Sequence, residues 1–334
     1  MENKNNTFEE IWNALKKSKK ILLSLHPKPD GDSLGSCTAL KYVLERRGKS
    51  VTLISQDELD ENLMDFSFSK EVKFGKKLTD YNLNNFDLLI FIDHGTLEKH
   101  PQEIVFMNFP KNLNVINIDH HHTNKYYGNL NYVDSRVVSS CSILTDFFGK
   151  AKINFDRELT RRLLLGILTD SGFFLNDHTP DSIKKAAFLI ETGEIDYQKE
   201  FYGPIMNLSW KVKKLVGELT NNMKKEKIFG KNVAYSYILA SDIKKLKLNS
   251  AEIRLGINFL KDIKDVDVIF TLSEMEKDIK GSFRSRGVDT TLFSKEFGGG
   301  GHKEASAFYI KKMPIREAIK KVLEAIKRVG IQSA

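Results

Sequence analysis

Short apolar runs, each closed by polar residues, alternate along this chain with longer stretches in which apolar side chains recur every three or four positions. The runs at 21–25, 51–55, 88–92 and 115–118 have the length and composition of strands buried on both faces, as in a parallel sheet. Between them the spacing predicts helices. Thr7, with Glu10 three residues on, makes a capping box that opens a helix through about Lys17. Ser33 is the expected cap of the next helix, in which Leu34, Ala39, Leu40, Val43 and Leu44 share a face and which Gly48 ends. Further helices are expected at 139–148, 157–168 and 180–191, the last with Pro180 at a permitted first-turn position. A second set begins at Val233, with strands at 233–239, 266–272, 279–285 and 305–310, a helix at 251–260 and a closing helix near 315–326. The pattern predicts an α/β fold, with a doubly wound, mainly parallel sheet in an N-terminal domain (1–203) and a smaller α/β domain over 231–328. Residues 204–230 are lysine-rich without an obvious core stripe and read as a helical linker.

With 334 residues and 41% hydrophobic content, the chain can bury two cores and is not of disordered composition. No stretch approaches the ~18 consecutive apolar residues of a membrane span. The start, MENKNNTFEE, lacks the basic, apolar and small-residue order of a signal peptide, so a cytoplasmic location and no membrane partner are expected. Cys37 and Cys141 lie in apolar helical patterns and read as small buried side chains, not nucleophiles. Trp12 and Trp210 read as core. The net charge of +8 suits an anionic substrate such as a nucleotide or short nucleic acid, although the lysines are spread as on ordinary solvated faces.

The chemistry is concentrated in four clusters: His26, Asp30 and Asp32 in HPKPDGDS, Asp93 in FIDHG, Asp119 to His122 in IDHHH, and Asp170 in LTDSG. Three of them terminate apolar runs. Strand carboxyl ends line the ligand crevice of an open α/β sheet, so residues remote in sequence should converge there. Carboxylates held together repel and take up protons unless divalent cations compensate them. Mixed imidazole and carboxylate donors suit Mn, Fe, Co or Zn, with Mn2+ the first expectation. Duller roles are expected elsewhere: a cap for Asp87, ordinary imidazoles for His94 and His122, and packing for Phe173 and Phe174.

HPKPDGDSLGS, FIDHG, IDHHH and GILTDSGFF resemble the four motifs of the DHH phosphoesterase superfamily, and GSFRSRG with FGGGGHKEASAF resembles its DHH-associated C-terminal domain. Five motifs in order are specific where a lone Asp-His-His triplet is not. The resemblance implies an active site in a cleft between two domains. His26, Asp30 and Asp93 would bind one divalent cation, and Asp32, Asp93, His120 and Asp170 the other. Asp93 would bridge them, and the water they share would attack phosphorus in line. His121 would contact the phosphoryl oxygens, and Asp119 would orient a neighbouring imidazole. In the second domain Arg284, assisted by Arg286, would grip a terminal phosphate. A loop containing Gly299, Gly300 and Gly301 would offer backbone N–H groups, and His302 a side-chain donor. Within the superfamily, the nanoRNase group is the best match. It implies a Mn-dependent phosphodiesterase acting on short RNA or dinucleotides and also on pAp, with hydrolysis of cyclic di-AMP or pApA as the near alternative. Inorganic pyrophosphatase and a non-catalytic nucleotide sensor are more distant readings, and a homodimer is a candidate assembly.

Overall fold

The computed structural model of the chain describes residues 5–95, 109–175, 178–260 and 263–331. It divides into two compact units, Met1–Asn207 and Leu208–Ala334.

In the first unit, β1 (Lys20–Ser24), β2 (Ser50–Ser55), β3 (Lys73–Phe74), β4 (Leu88–Ile92), β5 (Asn114–Asp119) and β6 (Leu130–Val133) form one sheet. Its order is β3-β2-β1-β4-β5-β6, and every pairing is parallel. Both faces are covered, so β4 is buried at every position and its sequence, LLIFI, carries no alternation. The strand order reverses between β1 and β4, and the carboxyl ends of these two neighbours flank the point where such sheets hold ligands. Strands β3 and β6 have no counterpart in the expected set, since two and four residues make no apolar run.

The capping box at Thr7 and Glu10 is present, opening the helix Phe8–Lys17. The cap of the helix Gly31–Glu45 is not Ser33 but Asp30, whose Oδ1 accepts from the backbone N–H groups of Asp32 and Ser33, both at 3.0 Å. Ser33 Oγ instead accepts from the backbone N–H of His26 at 3.3 Å. This helix lies so close to the helix Arg157–Asp170 that glycine is required at the seam. A Cβ on Gly35 would stand 2.4 Å from the carbonyl of Arg162, and one on Gly166 would stand 2.3 Å from both Asp32 Oδ1 and Cys141 Sγ.

The second unit is a mixed sheet built from β7 (Lys224–Ile228), β8 (Lys231–Ile238), β9 (Val268–Glu274), β10 (Asp278–Ser285), β11 (Gly300–His302) and β12 (Ala305–Lys311). The order is β11-β12-β10-β9-β8-β7, parallel only between β8 and β9. Helices Trp210–Asn221 and Ser250–Asn258 cover one face through Leu215, Leu219, Ile253 and Ile257. The helix Ile315–Val329 covers the other, packing Ala318, Val322 and Ile326 with Phe270, Phe283 and Phe308.

Three expectations are corrected here. The stretch 204–230 is not a bare connection: Leu215 and Leu219 are buried in the second core, and β7 is an edge strand. Its stripe of Val212, Leu215 and Leu219 is narrow among lysines, and the edge sequence KKEKI carries the charges that keep edge strands soluble, which hide it as a strand. The glycine run is not wholly loop, because Gly300–His302 pairs with Ala305–Ala307. Trp210 is 78% exposed, with Lys214 Nζ 5.1 Å from its ring centroid, whereas Trp12 packs against Phe8 and Phe147. Cys37 and Cys141 are buried free thiols, and burial pushes both up in pKa. Among the described residues no helix is long and apolar enough to cross a membrane.

Candidate metal centre

Three neighbouring strand ends build the site. His26 follows β1, Asp93 directly follows β4, and Asp119 closes β5 ahead of His120 and His121. Asp93 sits in the left-handed region, at φ +64°, a conformation that costs a non-glycine residue energy and turns its side chain toward its neighbours. Asp93 is 3% exposed. Its Oδ2 lies 3.4 Å from His26 Nε2, while its Oδ1 lies 3.2 Å from His120 Nε2 and 3.6 Å from His121 Nδ1. The two oxygens of one carboxylate therefore face two separate sets of donors. On one side, ligand atoms of His26, Asp30 and Asp93 fall within 4.8 Å of one another; on the other, those of Asp32, His120 and Asp170 do so. Asp170, at the end of its helix, brings Oδ2 to 3.2 Å from His120 Nε2. The structure thus gathers His26, Asp30, Asp32, Asp93, His120 and Asp170 at the reversal of strand order.

Asp32 is fully buried, and its oxygens accept from the backbone N–H groups of Ser140 (2.7 Å) and Cys141 (2.9 Å), at the positive N-terminus of the helix Ser140–Lys150. That support does not offset its surroundings. Burial and the charge of Asp93 raise Asp32 to about 7, and burial with Asp32 and Asp93 raises Asp170 to about 9. Burial alone would lower His26, yet Asp30 and Asp93 carry it to about 11; burial likewise opposes His120, which Asp93, Asp32 and Asp170 raise to about 10. For Asp30, burial pushes upward but His26 and the cap N–H groups bring the net below the ordinary value. A cluster that hoards protons in this way is short of positive charge. Asp93 Oδ1 is buried without a hydrogen-bond partner, with His120 Nε2 3.2 Å away. An orphaned carboxylate oxygen among nitrogen and oxygen donors fits a divalent transition-metal ion.

Behind the cluster lies a polar network in which Asp119 orients an imidazole and whose further members, Asn117, Asn124 and Tyr127, sequence reasoning missed. Asp119, fully buried, holds His121 Nδ1 at 2.7 Å through Oδ1, which also accepts from the backbone N–H of His120 at 2.8 Å. Asn124 donates to Asp119 Oδ2 at 2.5 Å and to Asn117 Oδ1 at 2.8 Å. Asn117, Asn124 and Tyr127 all donate to the carbonyl of His94, tying the loop that carries Asp93 to the end of β5. His94 itself is buried, its Nε2 donating to the carbonyl of Ser24 at 3.0 Å. Burial would raise Asp119, but its bonds to His121 and Asn124 bring it below the ordinary value, and the Asp119 bond raises His121. Asp87 caps backbone: its Oδ2 accepts from the N–H groups of Lys19 and Lys20 at 2.7 and 2.8 Å. His122 is exposed, and Phe173 and Phe174 are half-buried against the first core.

In the second unit, a cavity of about 310 Å³ is lined by Arg284, Gly300 and Gly301 together with Arg254, Lys280 and Ser282. Arg254 and Lys280 have no counterpart in the expected set; scattered cations carry no local signal until helix and strand bring them together. Arg286 is exposed and is not among the residues lining the cavity, its backbone N–H donating to the carbonyl of Asp267. Gly299 serves packing, since a Cβ there would stand 2.2 Å from the carbonyl of Ala307. His302 faces Ala305 in the β11–β12 ladder, and its side chain lies outside the described residues.

The profile of the DHH family, N-terminal domain, matches residues 20–167, and that of the DHHA1 domain matches 230–329. A probable bifunctional oligoribonuclease and PAP phosphatase NrnA from Streptococcus mutans is 27% identical over 310 residues, covering 90% of this chain and 92% of that one. The bifunctional oligoribonuclease and PAP phosphatase NrnA of Thermus thermophilus is 25% identical over 321 residues, covering 92% and 89%. An exopolyphosphatase-related protein from Bacteroides fragilis shares the fold, with a TM-score of 0.82 over 96% of both chains at 20% identity. The chain therefore carries a DHH domain followed by a DHHA1 domain.

Proposed function

We infer that the protein is a divalent-metal-dependent phosphodiesterase that hydrolyses short oligoribonucleotides and dinucleotides to mononucleotides and removes the 3′ phosphate of pAp. The observation that carries this reading is the carboxylate of Asp93, whose two oxygens face different donor sets and one of which is buried without a partner. The names of the relatives, oligoribonuclease and PAP phosphatase, support the same substrates.

His26, Asp30 and Asp93 would hold one cation; Asp32, Asp93, His120 and Asp170 would hold the second, with Mn2+ favoured by the donor set. When bound, such a pair supplies positive charge to the phosphoryl oxygens and makes water nucleophilic at neutral pH. The chain's own residues do the rest. Asp119 fixes the ring of His121 through Nδ1 and favours its protonated form, leaving Nε2 to donate to a phosphoryl oxygen on which negative charge grows. The backbone N–H groups at Ser140 and Cys141 keep Asp32 oriented. In the second unit Arg284, with Arg254 and Lys280, gives a cationic cavity suited to a substrate phosphate.

Purified protein assayed with Mn2+ against pApA, pAp, cyclic di-AMP, a short RNA and pyrophosphate tests the reading. Turnover of pApA, short RNA and pAp, abolished by chelation, is expected. Preference for cyclic di-AMP would move the substrate assignment, and rapid release of orthophosphate from pyrophosphate, or no turnover at all, would overturn it.

A further inference from the structure

The guanidinium of Arg284 is held from two sides. Its Nη1 donates to the carbonyl of Phe283 at 2.8 Å, and its Nη2 donates to Asn258 Oδ1 at 3.1 Å. Asn258 ends the helix Ser250–Asn258, the same helix that sends Ile253, Arg254 and Ile257 to the cavity wall. One helix therefore supplies both a second cation and the carbonyl that aims the first. No carboxylate is among the residues lining this cavity. Burial and the neighbouring Arg254 both lower the pKa of Arg284, as expected where two guanidiniums crowd one space. An amide is well chosen at 258: a carboxylate of the same shape would hold the fork equally well and cancel its charge.

We propose that Asn258 is a positioning residue, whose side-chain carbonyl aims Arg284 so that Arg284 and Arg254 together take a doubly charged terminal phosphate monoester in preference to a singly charged phosphodiester. This rests on the reading of the cavity as the site of a substrate phosphate. A phosphate monoester, with its second pKa near ~6, carries most of two charges at neutral pH, whereas a diester carries one. Two guanidiniums at one cavity, that of Arg284 held from two sides, match the first. A chain selected in this way enters by its phosphorylated end.

Calorimetric dissociation constants for AMP and for its singly charged phosphate methyl ester, measured on the full-length protein in chelator, read this site apart from hydrolysis. The parent is expected to bind AMP more tightly than the methyl ester. Asn258→Ala is expected to weaken AMP about tenfold, the equivalent of ~1.4 kcal/mol, and to narrow that preference. Asn258→Asp, isosteric and able to keep the contact, is expected to weaken AMP at least as much, while kcat on pApA with Mn2+ stays within about twofold of the parent. A merely structural amide would tolerate Asp. If Asn258→Asp binds AMP as the parent does, or if the parent binds both ligands equally, the proposal is overturned; if Asn258→Ala fails to fold, the Asp variant alone decides. Weakened AMP binding in Asn258→Asp by a protein that hydrolyses none of the nucleotides would sustain this inference and sink the proposed function. Normal hydrolysis with unaltered AMP binding in both variants would do the reverse.

Discussion

His121 Nδ1 lies 2.7 Å from Oδ1 of Asp119, a carboxylate shut away from solvent, while the histidine side chain is 40% exposed. One residue of the pair is fixed and the other reaches out. The aspartate selects which ring nitrogen faces outward and favours the charged imidazolium there.

Asp119→Asn should leave the donor set of the metal centre intact and lose the hold on His121. The expected outcome is a fall in kcat of ~10–100-fold with unchanged metal content, measured by steady-state kinetics and elemental analysis on one preparation. Parallel loss of metal would assign Asp119 to the metal shell instead.

Asp93→Asn should reduce turnover by more than ~100-fold, because one of the two carboxylate oxygens that face the separate donor sets becomes an amide nitrogen, which cannot ligate a cation. The same substitution removes one charge from a crowded cluster and places a residue that tolerates a left-handed backbone at φ +64°. In chelator the variant should therefore unfold at a temperature no lower than the parent, and added Mn2+ should protect it less. A variant that melts well below the parent in chelator would contradict the charge argument.

The pH dependence of the metal-free protein follows from groups held above their ordinary values. Asp32 (about 7) and Asp170 (about 9) titrate at 3.8 when exposed, and His120 (about 10) and His26 (about 11) at 6.5. A raised pKa lends stability that is complete below the ordinary value and is lost as pH climbs through the folded one. The metal-free chain should lose stability as pH rises from about 4 toward about 11. Asp30 and Asp119, both lowered, act oppositely and lend stability that is lost as pH falls below 3.8. A divalent cation held there would displace the protons, so protection by Mn2+ should grow with pH. Urea midpoints across this range, with chelator and with Mn2+, check both slopes; a metal-free protein that gains stability from neutral to alkaline pH would refute them.

Gly166→Ala should be costly although the change is one methyl group. Its Cβ would stand 2.3 Å from Asp32 Oδ1 and from Cys141 Sγ, in a seam with no room to yield. Destabilisation of ~1–3 kcal/mol is expected, with weaker Mn2+ binding because Asp32 shifts. Denaturant midpoints and a metal titration measure the two effects, and an unchanged metal affinity would separate the seam from the site.

Much of the site was legible in sequence because its carriers are local: mostly apolar runs at β1, β4 and β5, with His26 just past the first, Asp93 directly after the second and Asp119 closing the third. The supports were not. Asn117 read only as a position of the strand 115–118 and Asn124 and Tyr127 carried no motif, and their meeting at the carbonyl of His94 depends on how the chain returns after β5. Asp30 was legible as acidic chemistry, but its capping of the helix Gly31–Glu45 was assigned to Ser33 because both types cap well. The glycines at 35 and 166 show their purpose only once two helices touch. In the second unit, strands β8, β9, β10 and β12 were visible as apolar stretches. Strand β7 was masked by its lysines, and β11 by its glycines.

The account stands most directly on the pairing of cations across Asp93. A crystal grown with Mn2+ and recorded at the manganese absorption edge would show them as anomalous peaks. Two peaks ~3.5–4 Å apart, one beside each Asp93 oxygen and within bonding distance of His26 and His120 respectively, are expected. A single peak, or peaks remote from Asp93, would contradict it.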